Sequence, residues 1–262
     1  GELLMNRNKA LALYLLGTLG QIWIICLIVF VLRSKGFVIN YTTMAGLVAI
    51  GVGGISSALW GTVIAVKYKK YTLNKVLKDF CNIGQGYRSY LLAFLFLLLD
   101  FSYIIFGGEL RISAWYVPVV MFFKHIIFGG IEEIGWRHIF QPVLQERCNY
   151  IVATVITFAV WGIWHFSYFY IEGTLPQVQA SAFLLGLLVN CFILSALFIV
   201  TKSLWICVMT HSLINVFSQL TMGGNASVSY ACKVIVIIVA VSLVIREEKN
   251  NERCKNQKVL EN

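Results

Sequence analysis

The sequence predicts an all-α integral membrane protein, built as a bundle of about eight transmembrane helices with a polar site inside the bundle. Three observations support this prediction: 59% of the 262 residues are hydrophobic, only 13% are charged, and the mean hydropathy is +0.79. A soluble domain has about 25% charged and about 45–50% apolar residues, and one domain of this length has too little interior to bury so much apolar surface. The composition therefore argues against a soluble enzyme, a disordered regulator and a secreted disulfide scaffold.

Eight apolar stretches are long enough, or nearly so, to cross a membrane, since a helix needs about 20 mostly apolar residues to span about 30 Å of hydrocarbon. The predicted spans are residues 10–32, 43–66, 89–106, 115–139, 151–171, 179–200, 204–222 and 230–245. The first is longer than the apolar core of a signal peptide and lacks a small-residue cleavage site, so we interpret it as a membrane helix. In the second span, Gly53, Ser57 and Gly61 recur every four residues, which favours close helix packing over a pore lining.

Motif content and charge divide the chain into three predicted segments. These are 1–114, with helices one to three and a basic connector at 67–88; 115–245, with helices four to eight and all the polar motifs; and 246–262, a charged cytoplasmic tail. The connector interleaves lysines with apolar side chains. This pattern is typical either of an amphipathic helix lying on an anionic leaflet or of a solvated basic loop.

The basic residues also predict the orientation of the chain. With the N-terminus in the cytoplasm, fifteen of the 21 Lys and Arg residues fall in cytoplasmic segments and three fall in external loops. Because Lys and Arg accumulate on the cytoplasmic side, both termini are predicted to be cytoplasmic, which requires an even number of spans. We therefore interpret the net charge of +9 as orientation information rather than as a nucleic-acid surface. The seven cysteines are scattered and odd in number, which predicts reduced thiols.

Polar side chains inside the predicted spans indicate where the chemistry lies, because ionisable groups in hydrocarbon are costly and mark functional sites by default. The fourth span contains Glu132, Glu133 and Arg137, the fifth contains His165, and the seventh contains His211 and Asn215. Glu133 and Arg137 are four residues apart with the acid first, the better order for a helical ion pair. That pairing leaves Glu132 on another face, where it can line a cavity. A carboxylate, two histidines and an amide on three helices indicate a hydrolytic site.

Other intramembrane polar groups receive structural interpretations. His125 lies seven residues before Glu132, on nearly the same helix face, and we expect it to support the site by packing rather than to act in catalysis. We expect Asp100 to pair with Lys124 across helices three and four.

Three ordered motifs resemble those of a known family, the CPBP family of CAAX proteases and bacteriocin-processing enzymes, also called Abi. EEIGWR at 132–137 matches the EExxxR signature, WGIWHF at 161–166 resembles the second motif, FxxxH, and HSLIN at 211–215 matches the third, HxxxN. The chain is thus similar to type II CAAX prenyl endopeptidases, and the GWR and WGxWH forms favour the bacterial branch. Two positions depart from the pattern: Trp161 stands where the motif usually has phenylalanine, and His138 stands where many relatives have glycine.

The resemblance implies an intramembrane endopeptidase with its active site inside the helix bundle. Its substrate would be a membrane-associated peptide or protein: a CAAX-type C-terminus, a bacteriocin or a signalling propeptide. The implied site residues are Glu132 and His165 for activating a water, His211 and Asn215 for an oxyanion hole, and Glu133 with Arg137 for orienting the site.

The implied mechanism needs no cofactor and no metal, but alternatives remain open. Two histidines and a glutamate are a known catalytic zinc set, so zinc is the alternative cofactor, although the sequence has no HExxH motif. A proton-coupled transporter and a non-catalytic bacteriocin self-immunity protein are alternatives from other functional classes. The expected partners are membrane lipid and the peptide or protein substrate, without nucleic acid. The predicted location is the bacterial cell membrane.

Overall fold

The computed structural model is 81% helical and describes the backbone of residues 2–260 and the side chains of residues 7–253. Its helices are α1 Glu2–Ser34, α2 Met44–Gly54, α3 Ser56–Lys67, α4 Leu73–Phe80, α5 Tyr87–Phe101, α6 Val117–Phe128, α7 Glu133–Gly135, α8 Gln141–Gln145, α9 Tyr150–Glu172, α10 Ala180–Thr201, α11 Leu204–Leu220 and α12 Ala226–Leu260. Two short strands, β1 Gly108–Leu110 and β2 Thr221–Gly223, and four short 3₁₀ or π-helical turns complete the elements of the described chain. The six cysteines with described side chains form no disulfides with one another. Cys254 and the rest of the predicted tail from 254 onward have side chains outside the described set.

Six helical segments in the described part of the chain are long and apolar enough to cross a membrane. They are Arg7–Ser34, Met44–Lys67, Tyr87–Ile105, Tyr150–Glu172, Ala180–Thr201 and Ala226–Arg253. Helix α11 is apolar but shorter, at 17 residues. The predicted class, an all-α multi-pass membrane protein, is confirmed, while the predicted total of eight spans is not.

The predicted fourth span, 115–139, is not one continuous helix. Helix α6 ends at Phe128, and the chain continues through a 3₁₀ turn, α7 and a π-helical turn before α8 begins. Gly129 and Gly130 mark the break, and both pack closely on α11: a β-carbon on Gly130 would lie 2.8 Å from Val208 Cγ1. His125 and Glu132 therefore do not share one helix face, contrary to the expectation from their spacing.

The described chain forms two compact units, each assembled from two stretches of sequence. Unit 1 comprises Gly1–Cys81 and Ile131–Leu188, and unit 2 comprises Asn82–Gly130 and Val189–Asn262. The predicted segment boundaries, which rest on motif content and charge, stay a prediction.

In unit 1, small residues allow α3 to pack tightly against α1 and α7. A β-carbon on Gly61 would lie 2.6 Å from the α-carbon of Gly135, and the hydroxyls of Ser57 and Tyr14 share a hydrogen bond of 2.8 Å. Gly53 faces α9 in the same close manner. The predicted packing role of the small residues in the second span is confirmed.

Arg33, near the end of α1, forms hydrogen bonds with the end of α9. Its guanidinium donates hydrogen bonds to the carbonyl oxygens of Ile39, Tyr170 and Ile171. Gly173, with a φ of +84°, ends α9 in the left-handed conformation that glycine adopts at low cost. These contacts hold α9, the helix that carries the WGIWHF motif, in position.

The basic connector contains a short amphipathic helix, α4. The hydroxyl of Thr72 accepts a hydrogen bond of 3.1 Å from the backbone N–H of Lys75 and so caps the helix. Val76 is buried, whereas Leu73 and Leu77 are more than half exposed. Of the two structures predicted for the connector, the amphipathic helix is the one present. Its location on a membrane surface stays a prediction.

In unit 2, α6 packs along α11, and α5 packs against α12. Strands β1 and β2 pair in antiparallel fashion, with Glu109 opposite Met222. Asp100 on α5 is 4% exposed and forms its ion pair with Lys233, at 3.2 Å, rather than with Lys124 as expected. The expectation was wrong because α12 presents Lys233 to α5, while Lys124 is exposed on α6.

Candidate functional site

The short helical segment that begins at Gly130 holds three ionisable residues predicted for the site. Glu132 is 5% exposed, and Glu133 and Arg137 are almost completely buried. Arg137 Nη1 lies 3.5 Å from Glu133 Oε1, so the predicted ion pair is present. The guanidinium also lies over the ring of Trp161, 4.4 Å from its centroid, in a cation–π contact. The pair and the ring together fix the position of Arg137, which lies within a π-helical turn of the kind that is frequent at functional sites.

Trp161 also holds Glu132. Its indole Nε1 donates a hydrogen bond of 2.8 Å to Glu132 Oε2. The backbone carbonyl of the same glutamate accepts a hydrogen bond of 3.1 Å from Ser57 Oγ. In the sequence, Trp161 stands out only as a departure from phenylalanine, so this polar role was not predicted. The indole N–H, which phenylalanine lacks, is the signal that could have indicated it.

His165 lies one turn after Trp161 on α9. Its Nδ1 is 3.0 Å from the carbonyl oxygen of Trp161. Because a carbonyl oxygen only accepts, Nδ1 carries the proton, and Nε2 is the acceptor nitrogen whenever the ring is neutral. The half-buried imidazole packs among aromatic rings, including Trp164 and Phe183. Trp164 is in turn fixed to α3 by a hydrogen bond of 2.8 Å to Ser56 Oγ.

In unit 2, His211 and Asn215 lie on the same face of α11, as their spacing predicts. The position that a β-carbon on Gly129 would take is 2.6 Å from Asn215 Nδ2 and 3.4 Å from His211 Nε2. Both side-chain nitrogens therefore lie close to the same glycine, at the end of α6. His125 lies one turn earlier on α6 and is 6% exposed; its expected packing role stays a prediction. The sequence analysis did not single out Gly129, although two adjacent glycines before a pair of acids were a visible signal.

The structure therefore brings Glu132, Glu133, Arg137 and His165 together within unit 1, and His211 and Asn215 together within unit 2. That all six act in one site stays a prediction. Among residues 7–253, no group of three or more His, Cys, Asp or Glu side chains is arranged to hold a metal ion.

Comparison with known proteins bears on the segment that contains these residues. Residues 113–217 match the model of a family described as type II CAAX prenyl endopeptidase, Rce1-like. This segment is similar to the Rce1-like family. The predicted resemblance to CAAX endopeptidases is confirmed, while the bacterial branch is not.

A relative from Methanococcus maripaludis, CAAX prenyl protease 2, is 24% identical to this chain over 156 residues. The aligned region covers 55% of this chain and 55% of the relative. The chain thus spans about half the length of the curated relative that it matches. All six predicted site residues fall inside the Rce1-like segment.

Proposed function

We propose that this protein is an intramembrane endopeptidase that hydrolyses a peptide bond in a membrane-associated peptide or protein. The observation that carries the proposal is that the Rce1-like segment, 113–217, contains all three polar motifs in their expected order. The contacts of the motif residues support these roles: Arg137 forms an ion pair with Glu133, and Trp161 donates a hydrogen bond to Glu132.

In this proposal Glu132 and His165 activate the attacking water. Trp161 binds one oxygen of the Glu132 carboxylate and so fixes its orientation, and the carboxylate takes a proton from a water held beside it. His165 donates from Nδ1 to a backbone carbonyl, so Nε2 of the neutral ring accepts a hydrogen bond from the same water. Such positioned proton transfer contributes about 100- to 10,000-fold to a rate.

His211 and Asn215 stabilise the negatively charged oxygen of the tetrahedral intermediate. Both are nitrogen donors, and their approach to the same side of Gly129 supports a shared role. One such donor is worth roughly 3 kcal/mol in the transition state. Glu133 and Arg137 orient the segment that carries Glu132.

The proposed substrate class is a CAAX-type C-terminus, because both matches are named for CAAX prenyl substrates. A bacteriocin or a signalling propeptide is the alternative substrate. The distribution of Lys and Arg supports two cytoplasmic termini, and we propose a bacterial cell membrane as the location, with lipid as the surrounding partner.

A cleavage assay in reconstituted membranes tests the proposal, with farnesylated C-terminal peptides and short propeptides as substrates. Glu132→Gln is the decisive variant because a glutamine oxygen still accepts the Trp161 hydrogen bond while the carboxylate base is lost. We expect its rate to fall by about 100- to 10,000-fold and His165→Ala to be similarly impaired. Glu109→Gln, at an exposed glutamate on β1, is the matched control and should cleave like wild type. Cleavage by Glu132→Gln at the wild-type rate would exclude Glu132 as the base.

Chelation separates the metal-free mechanism from its zinc alternative. Full activity after exhaustive chelation, in protein without stoichiometric metal, supports the metal-free proposal. Loss of activity that added zinc restores favours the zinc enzyme. A wild-type protein that cleaves nothing but moves protons across proteoliposomes would indicate the transporter, and one that only binds a bacteriocin would indicate self-immunity.

A further inference from the structure

A basic pocket lies in unit 1, away from the motif residues of α9. It has a volume of about 690 Å³ and lies between the start of α1, the end of α3 with the turn that follows, and α8. Five cationic side chains line it: Arg7, Lys9, Lys67, Lys69 and Lys70. Residues from separate parts of the sequence thus concentrate positive charge in one cavity.

The positive charge of this pocket is only partly neutralised. Glu146 is the one acidic side chain among the described residues that line it, and its Oε2 lies 2.6 Å from Nε of Arg7. Lys69 is directed inward, where its Nζ donates a hydrogen bond of 3.2 Å to the carbonyl oxygen of His138. Burial lowers the pKa of Lys69, because its ammonium has lost part of its hydration. An anion in the pocket would restore favourable interactions to this group and to the other lysines.

The position of the pocket along the spans indicates which anion would reach it. The apolar run of α1 begins at Ala10, directly after Arg7 and Lys9, and another candidate span ends at Lys67. The pocket therefore lies where both helices leave the apolar part of the membrane. Lipid phosphates lie at this level. Ala10, Ile64 and Val143 add an apolar wall beside the cations, which suits the glycerol and first acyl carbons of a lipid better than a free ion.

We propose that this pocket binds the phosphate-bearing headgroup of an anionic phospholipid. The lysines bind the phosphate oxygens, and the apolar wall contacts the glycerol backbone. Excess positive charge disfavours headgroups that carry their own cation, such as choline. Inorganic phosphate shares the oxygen chemistry but lacks the apolar part, so it should bind more weakly.

Lipid titration monitored by native mass spectrometry of the delipidated full-length protein tests this proposal, with phosphatidic acid as the probe and phosphatidylcholine as the reference lipid. The pocket variant is Lys67→Gln/Lys70→Gln, which spares the inward Lys69. The control, Lys78→Gln/Arg88→Gln, removes two charges from the same connector but outside the pocket. We expect the pocket variant to bind phosphatidic acid about thirtyfold more weakly, since each surface lysine contributes about fivefold to anionic-lipid binding. The control should lose much less, because its two charges do not line the pocket and are screened by solvent.

Three outcomes would overturn the proposal. Equal weakening in both double variants would mean diffuse attraction to the basic connector rather than a pocket. Displacement of phosphatidic acid by inorganic phosphate at equal concentration would identify a free-phosphate site. Equal retention of phosphatidylcholine and phosphatidic acid would mean that the cations do not select the headgroup. If the double variant unfolds at a lower temperature than wild type, Lys70→Gln alone provides the comparison, with about fivefold weaker binding expected.

Discussion

Gly129→Ala tests the proposed oxyanion hole with a single methyl group. The new β-carbon would lie 2.6 Å from Asn215 Nδ2 and 3.4 Å from His211 Nε2. The side-chain amide of Asn215 must move away by about 0.8 Å, from 2.6 Å to an ordinary contact distance of 3.4 Å. The imidazole of His211 already lies at that distance and can stay in place. The backbone of Gly129, with φ of −160° and ψ of −63°, is not in the left-handed region that favours glycine.

The displaced amide should lose its catalytic contact. An oxyanion donor acts over a narrow range of about 2.7–3.1 Å, and removal of one donor lowers kcat by about 100- to 1,000-fold. We therefore expect Gly129→Ala to lower kcat by this amount with little change in KM. Asn215→Ala should have the same effect, and the double variant should lose little more, because both changes remove one interaction.

The assay is steady-state cleavage of the best peptide from the substrate panel, together with the thermal unfolding midpoint of each variant. Gly162→Ala on α9 is the matched control, because its new β-carbon would lie no closer than 3.4 Å to Leu184 Cδ2. It should keep the wild-type kcat. A folded Gly129→Ala enzyme with wild-type kcat would refute the reasoning, as would losses that multiply in the double variant.

Two further predictions concern stability in mixed micelles, measured by denaturation with increasing SDS. Gly61→Ala should lower the free energy of unfolding by about 1–3 kcal/mol, because its β-carbon would lie 2.6 Å from the α-carbon of Gly135. Gly51→Ala is the control and should leave the free energy of unfolding unchanged, because its β-carbon would have nothing within 4 Å. Equal unfolding midpoints for the two variants would contradict the packing argument. Arg137→Met should cost about 3–5 kcal/mol because it removes one partner of a buried ion pair. Adding Glu133→Gln should recover part of that loss, and strictly additive costs would show that the pair is not coupled.

Much of the class and the local chemistry could be predicted from the sequence because hydropathy and helix geometry act over short distances. Apolar composition indicated an all-α membrane protein, and six of the predicted spans appear as helices long enough to cross. Four-residue spacing placed Glu133 beside Arg137, and His211 on the same face as Asn215. These relations depend on one turn of helix and need no knowledge of what packs against it.

Contacts between distant segments could not be predicted in the same way. Asp100 pairs with Lys233 rather than Lys124 because α12, and not α6, presents a lysine to it. The indole of Trp161 reaches Glu132 across 29 residues of sequence, a contact that a period of 3.6 residues does not encode.

The break at Gly129 shows where local reasoning fails and why. Hydropathy alone predicted one helix over 115–139, since apolar residues continue through the glycines. Gly129 and Gly130 both pack closely on α11, and the helix stops there. The sequence by itself determined the membrane class, the motif chemistry and the one-turn pairs. The tertiary structure alone decided where helices break, which charges pair and which lysines share a pocket, because those depend on contacts between segments that lie far apart along the chain.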